Sequence, residues 1–140
     1  MISTIPRPVA ARLLSLLGVA VLAVGCATAP ATQEDAVRAR ADERWQALIK
    51  SDFARAYEYT TPAYKAIHPA GQYFSARGTA AQWKSATVLN VECPEIDKCV
   101  AKVRLVAVLS GVPQAVREVS TVLDETWLRE DGQWWYFEKL

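Results

Sequence analysis

The sequence has little of what most metal and catalytic sites need. Its 140 residues include one histidine, three cysteines and one methionine. A structural zinc site usually takes four Cys or His ligands, and the scattered carboxylates form no calcium-binding pattern. The Gly-x-Ser-x-Gly, Gly-rich phosphate-loop and His-Glu-x-x-His motifs are also missing. We therefore expect no metal and no cofactor, and no motif predicts a hydrolase or a nucleotide enzyme.

Neither an excess of charge nor a long hydrophobic run is present. The 16 Lys and Arg residues nearly balance the 15 Asp and Glu residues, so no basic footprint predicts a nucleic-acid partner. The apolar run at residues 13–24 has about a dozen residues, whereas a helix that crosses a bilayer needs roughly 20. The run is therefore too short to remain as a transmembrane anchor.

The N-terminal segment is typical of an exported protein. Arg7 and Arg12 come before or at the start of the apolar run, and no acidic residue lies among the first 25 residues. The run ends in Leu-Ala-Val-Gly-Cys at residues 22–26, which resembles the lipobox of bacterial lipoproteins, with Ala23 where Leu is usual. The resemblance implies cleavage before Cys26 and attachment of lipid to its thiol. The alternative is a non-lipid signal cut near Ala27 or Ala29, which would leave a soluble periplasmic protein.

The lipobox resemblance also implies a location and a division of the chain. Ala27 stands where Asp would resemble an inner-membrane retention signal, so the periplasmic side of the outer membrane is favoured in a Gram-negative cell. Residues 1–25 would be the signal peptide, and residues 26–32 the lipidated Cys26 and a short tether. Residues 33–140 suit one domain with a single core.

The remaining two cysteines predict a disulfide bond. Export would place Cys93 and Cys99 in an oxidising compartment, where a close pair is typical of a disulfide. Both lie at the ends of strand-like runs, where directly opposed residues approach to the distance that a disulfide needs.

Helical signals dominate residues 32–76. Thr32 and Asp35 form an approximate capping box, and apolar residues follow at helical spacing, namely Val37, Ala41, Trp45, Leu48 and Ile49. We interpret the opposite face as solvated surface, with Arg38, Arg40, Glu43, Arg44 and Lys50. Asp52 can cap a second helix at residues 53–59, and Thr61 with Pro62 can start a third that ends near residue 67. A brief fourth turn is expected around residues 73–74.

From residue 83 the hydrophobic period changes to two. We expect strands at residues 83–93, 99–109, 115–129 and 133–139. Asp131-Gly132 predicts a tight hairpin between the last two. In the first strand, alternation places Thr87, Leu89, Val91 and Cys93 on one face.

Helices followed by an antiparallel meander indicate an α+β domain, in which helices pack on one face of a curved four-stranded sheet. The pattern of residues 41–57 and of residues 127–136 resembles the nuclear transport factor 2-like superfamily, in which helices and a curved sheet form a cone. That superfamily contains isomerases and dehydratases as well as binding domains, so the resemblance implies no single activity. It also implies that the sheet can form a homodimer.

The candidate pocket residues are few. His68, the sole histidine, precedes a proline, and any His-based chemistry depends on it. Strand alternation sends Asp124 and Glu125 to opposite faces, and Glu125 points inward if Trp127 does. A desolvated Glu125 could act as a base, but an outward carboxylate paired with Lys102 or Arg104 is the competing interpretation. Trp45, Tyr57 and Tyr64 could line the same pocket, or simply fill the core.

Because no catalytic set is complete, the sequence favours a non-enzymatic, membrane-anchored envelope lipoprotein. Its domain would bind a small apolar ligand in a pocket, or another envelope protein through the sheet. The alternative is an isomerase- or dehydratase-type enzyme, with Glu125 or Asp124 as base and Tyr57, Tyr64 or His68 as hydrogen-bond donor.

Overall fold

The computed structural model describes residues 32–76, 81–113 and 117–139. Within them, four helices are followed by four strands: α1 Gln33–Ile49, α2 Phe53–Glu58, α3 Pro62–Ile67, α4 Ala70–Ala76, β1 Ala81–Glu95, β2 Lys98–Leu109, β3 Glu118–Glu130 and β4 Gln133–Tyr136. The strands form one open antiparallel sheet in the order β1-β2-β3-β4, and the helices pack on it. The expected α+β class with four antiparallel strands is therefore confirmed. None of these helices combines the length and apolarity that crossing a membrane requires.

The helix starts follow from local side-chain caps. Thr32 Oγ1 accepts a hydrogen bond from the Asp35 backbone N–H at 3.1 Å, and Asp52 Oδ1 accepts one from Arg55 N–H at 3.1 Å. Thr61 caps α3 in the same way, with Pro62 at its first position. Each cap satisfies a backbone donor that the helix itself cannot pair. The three predicted starts are confirmed.

One face of α1 lies on the sheet and is buried: Val37, Ala41, Arg44, Trp45, Ala47 and Leu48. The interpretation of Arg44 as solvated surface is wrong, because only 2% of this residue is exposed. Arg44 follows Val37 by seven residues and precedes Leu48 by four, so helical geometry places it on the core-facing side. Its charge does not change its position on the helix.

The buried face of β1 differs from the expected one. Val88 and Val91 are buried, whereas Thr87 and Leu89 are exposed. The pairing of β1 with β2 shifts register between Trp83 and Ser85 and again between Val88 and Asn90. A bulge adds a residue to one strand, so strict alternation fails beyond it. The prediction that Thr87 and Leu89 share the face of Val91 was wrong for this reason.

The two hairpin ends follow from local chemistry. Asp131 and Gly132 have φ values of 51° and 78° and connect the paired residues Glu130 and Gln133, as the Asp-Gly signal predicts. Near the β1–β2 turn, Cys93 and Cys99 are joined by a disulfide bond, which is consistent with the expected pairing.

The predictions for the N-terminal segment concern residues that the structure does not describe. The signal segment, Cys26 and the tether up to residue 31 lie outside the described residues. Lipidation and membrane anchoring therefore stay predictions.

Candidate functional site

Two buried charged side chains meet between α1 and the sheet. Arg44 Nη1, from α1, donates to Glu125 Oε1, from β3, at 2.7 Å, and the two side chains are 3% and 2% exposed. Glu125 faces the helix because strand alternation puts it on the same side as the fully buried Trp127. The sequence placed Glu125 inward only on the condition that Trp127 is inward, and the structure meets that condition. The competing interpretation, an outward Glu125, was wrong.

Aromatic rings surround this ion pair. The guanidinium carbon of Arg44 lies 3.6 Å from the ring centroid of Tyr136 and 5.5 Å from that of Trp45. Glu138 approaches from the rim, with its Oε2 atom 4.0 Å from Arg44 Nη2. A planar guanidinium stacks well on aromatic faces, so the rings replace part of the water that Arg44 loses on burial.

Burial sets the electrostatics of the pair. It raises the pKa of Glu125, while Arg44 and the indole N–H groups of Trp45 and Trp127 act in the opposite direction. Neither indole makes a hydrogen bond of regular geometry. For Arg44, burial favours a lower pKa, but the Glu125 carboxylate chiefly opposes it and the net pKa is raised. A buried charge needs a partner, and here each residue is the other's partner, so their attraction offsets part of the cost of burying both.

A closed ion pair is poorly suited to act as a base. The Arg44 guanidinium occupies one carboxylate oxygen of Glu125, and the residue exposes only 2% of its surface. Proton abstraction would require a substrate within hydrogen-bond reach of that carboxylate. The pair joins α1 to β3 across the interior as a clamp, and the second carboxylate oxygen of Glu125, Oε2, is buried without a hydrogen-bond partner among the described residues.

The predicted pocket residues divide into two groups. Trp45, Glu125 and Trp127 meet at the ion pair, whereas Tyr64 and His68 stack on each other with ring centroids 4.6 Å apart. Tyr57 donates its hydroxyl hydrogen bond to the backbone oxygen of His68 at 2.7 Å. The expected residues thus form two groups, which meet at Glu138: this residue lies 4.0 Å from Arg44 Nη2 and also lines the hollow beside Tyr64 and His68.

Tyr64 and His68 line a shallow hollow of about 130 Å³ on the surface. The other lining residues are Thr61, Ala63, Ile67, Phe137 and Glu138. Two of them, Ile67 and Phe137, are large apolar residues that are 67% and 44% exposed. Asp124 lies on the opposite sheet face, where it pairs with Lys102 at 3.5 Å. The candidate base Asp124 is therefore remote from the candidate donors.

Sequence reasoning missed Arg44, although a signal for it was present. Its spacing from Val37 and Leu48 is that of a core position, and only its charge suggested solvent. Within the described residues, no group of three or more His, Cys, Asp or Glu side chains could hold a metal ion.

Comparison with solved structures identifies proteins of similar fold. One is a SEC-C motif containing protein from Rhodopseudomonas palustris, with a TM-score of 0.56 and 17% sequence identity over 76% of each chain. Another is a SEC-C motif containing protein from Psychrobacter arcticus, with a TM-score of 0.53 and 10% identity over 68% of this chain. The similarity is one of fold alone. The match spans about half of the Psychrobacter chain, 54% of its length.

These neighbours correct the expected family. The resemblance to the nuclear transport factor 2-like superfamily was wrong, because the similar solved structures are SEC-C motif containing proteins. The residues that suggested it form helix caps, a core face and a hairpin turn, which many α+β domains share. No protein-family model and no curated protein sequence matches the chain.

Proposed function

We propose that the protein is a non-catalytic binding domain, held at the envelope membrane by lipid on Cys26. The Arg44–Glu125 pair is the observation that supports the non-catalytic part, because the strongest candidate base is only 2% exposed and its Oε1 atom accepts a hydrogen bond from Arg44. The anchor rests on the lipobox-like residues that end at Cys26. The disulfide between Cys93 and Cys99 is compatible with an oxidising compartment, and the periplasmic side of the outer membrane is the proposed location.

Surface features support binding as the role. The hollow beside Tyr64 and His68 exposes Ile67 and Phe137, which can contact an apolar ligand or an envelope protein. A larger cavity of about 340 Å³ lies between α1, α2 and β4. Its size falls in the range of small-molecule sites.

Membrane fractionation of producing cells tests the anchor. The native chain is expected in the membrane fraction and to need detergent for release, whereas Cys26→Ser is expected in the soluble periplasmic fraction. Single-chain lipid binding is weak and reversible, so stable retention also predicts more than one acyl chain by mass spectrometry. Equal distribution of both proteins would contradict the anchor.

Native mass spectrometry tests the binding role. The Cys26→Ser protein, purified from the periplasm, is expected to carry an additional mass that denaturation removes, or to recover a specific partner from detergent-solubilised membranes. A bare protein in both experiments would contradict a binding role.

A further inference from the structure

The cavity between α1, α2 and β4 differs in character from the apolar hollow. We call it the basic groove, and its lining residues are Arg40, Arg55, Glu58, Tyr59, Gln133 and Trp135. The guanidinium carbon of Arg40 lies 4.9 Å from the ring centroid of Tyr59 and 5.5 Å from that of Trp135. Stacking on two rings holds this cation at the edge of the groove.

Arg40 has no carboxylate within salt-bridge distance in the part of the chain that the structure describes. Among the described residues it makes no salt bridge within 4.0 Å, and its Nε atom is buried without a hydrogen-bond partner. Gln133 offers a neutral oxygen to Nη1 and Nη2 at 3.1 and 3.3 Å, in the amide orientation that satisfies both residues. The nearest carboxylate, Glu43, accepts the Tyr59 hydroxyl hydrogen at 2.6 Å. Burial lowers the pKa of Arg40, as expected for a cation that has lost water without gaining an ion pair.

The other charged side chains around the basic groove do not neutralise its arginines. Arg55 is exposed, lies beside Tyr59 and makes no salt bridge within 4.0 Å among the described residues. Glu58 lines the groove, but its carboxylate lies 3.8 Å from the ammonium of Lys65. The Lys65 ammonium itself is 4.8 Å from the ring centroid of Trp135. With Glu58 set against Lys65, Arg40 and Arg55 face one further carboxylate, Glu43, and a net positive charge remains beside the groove for an incoming anion.

Arg44 shows what Arg40 lacks. The two arginines are one turn apart on α1, and Arg44 is neutralised by Glu125 at 2.7 Å. A desolvated charge is stable when it is paired and hydrogen-bonded. An external anion in the basic groove would neutralise Arg40, as Glu125 neutralises Arg44.

We propose that the basic groove binds the phosphate group of a phosphomonoester, gripped by Arg40 and Arg55. Gln133 occupies the Nη1–Nη2 edge of Arg40, so the phosphate would contact the remaining Nη hydrogens of Arg40 and the exposed guanidinium of Arg55. Guanidinium groups form strong charge-assisted hydrogen bonds with phosphate oxygens, and a phosphomonoester carries about two negative charges at neutral pH. Trp135 offers a ring face to the organic part of the ligand. The phosphate could belong to a soluble small molecule or to a lipid headgroup such as phosphatidic acid. This inference rests on the proposed binding function and names its ligand class.

Isothermal titration calorimetry of the detergent-solubilised full chain with phenyl phosphate is the first test. Saturable binding is expected for the native chain, with affinity at least about tenfold lower for Arg40→Gln and for Arg55→Gln, because each loses a charge-assisted hydrogen bond. Arg104→Gln is the matched control, since Arg104 is exposed on β2, outside the lining of the basic groove, and its affinity is expected to be unchanged. No saturable heat for the native chain, or equal affinity in all four proteins, overturns the inference.

Two further variants separate binding from folding. Arg40→Lys keeps the charge but loses the planar fork, so intermediate affinity is expected. Arg55 is exposed, so Arg55→Gln is expected to keep the native melting temperature while losing affinity. Native affinity in both Arg40→Lys and Arg55→Gln would contradict phosphate binding by these arginines.

Vesicle flotation identifies the source of the phosphate. Cys26→Ser protein is mixed with phosphatidylcholine vesicles that do or do not contain phosphatidic acid. Flotation that requires phosphatidic acid and Arg40 assigns the headgroup, whereas phenyl phosphate binding without flotation assigns a soluble ligand. If Arg40→Gln does not reduce flotation and phenyl phosphate does not bind, the inference fails. A ligand retained in native mass spectrometry would then still support the proposed binding function.

Discussion

At the scale of single residues, the position of a side chain on its helix decides whether it is buried, even when the side chain is charged. Arg44 occupies a core position of α1, and the fold accommodates it with two carboxylates and two aromatic rings within 5.5 Å. Arg40, one turn earlier, reaches only the edge of the core and stacks on Tyr59 and Trp135. The same residue type on the same helix is therefore a structural clamp at one position and a candidate ligand-binding group at the next.

The clamp predicts that two neighbouring carboxylates, Asp124 and Glu125, contribute very differently to the free energy of unfolding. Glu125→Gln leaves Arg44 buried beside a neutral amide, and we expect a loss of about 3 kcal/mol in the free energy of unfolding. Asp124→Asn removes one partner of an exposed pair with Lys102 and should change it by less than about 1 kcal/mol. Urea unfolding followed by circular dichroism measures both. Similar small losses in the two variants would show that the buried pair does not stabilise the fold.

At the scale of elements, local sequence signals predicted where helices start and hairpins turn better than they predicted which face of a strand is buried. The caps at Thr32, Asp52 and Thr61 and the turn at Gly132 were predictable because each involves residues close together in the sequence. The inward face of β1 was not, because register shifts depend on the partner strand β2.

Substitution of two glycines, Gly132 in the hairpin turn and Gly71 in α4, tests whether the turn requires a positive φ. A Cβ atom on Gly132 or Gly71 would meet no atom within 4 Å, but only Gly132 has a positive φ, of 78°. We expect Gly132→Ala to destabilise the protein by roughly 1 kcal/mol and Gly71→Ala, within α4, to stabilise it by about 0.5 kcal/mol. Chemical unfolding of the two variants gives the comparison. A loss at Gly71 equal to that at Gly132 would contradict a conformational origin.

At the scale of the whole molecule, one core joins the helices to the sheet. Its buried residues come from α1, α2, α4 and all four strands, and Tyr64 of α3 packs against it. The described elements therefore share their main source of stability. A domain organised around one core is expected to unfold as a unit.

Calorimetry tests this cooperativity. For Cys26→Ser protein with its disulfide intact, the calorimetric and van't Hoff enthalpies of unfolding should agree, because no element has a core of its own. Two separate transitions, or a van't Hoff enthalpy well below the calorimetric one, would contradict a single cooperative unit.

The sequence by itself determined the order of the helices and strands, their caps, the Asp-Gly turn and the expected disulfide, because these depend on periodicity and on neighbours a few residues apart. Strand alternation also identified Glu125, and not Asp124, as the carboxylate on the same face as Trp127. Only the tertiary structure decided that Arg44 meets Glu125, that Tyr64 and His68 line a surface hollow, and that Arg40 forms no salt bridge with any described residue. Those outcomes depend on contacts between distant parts of the chain, such as the 81 residues between Arg44 and Glu125, and no local pattern encodes them.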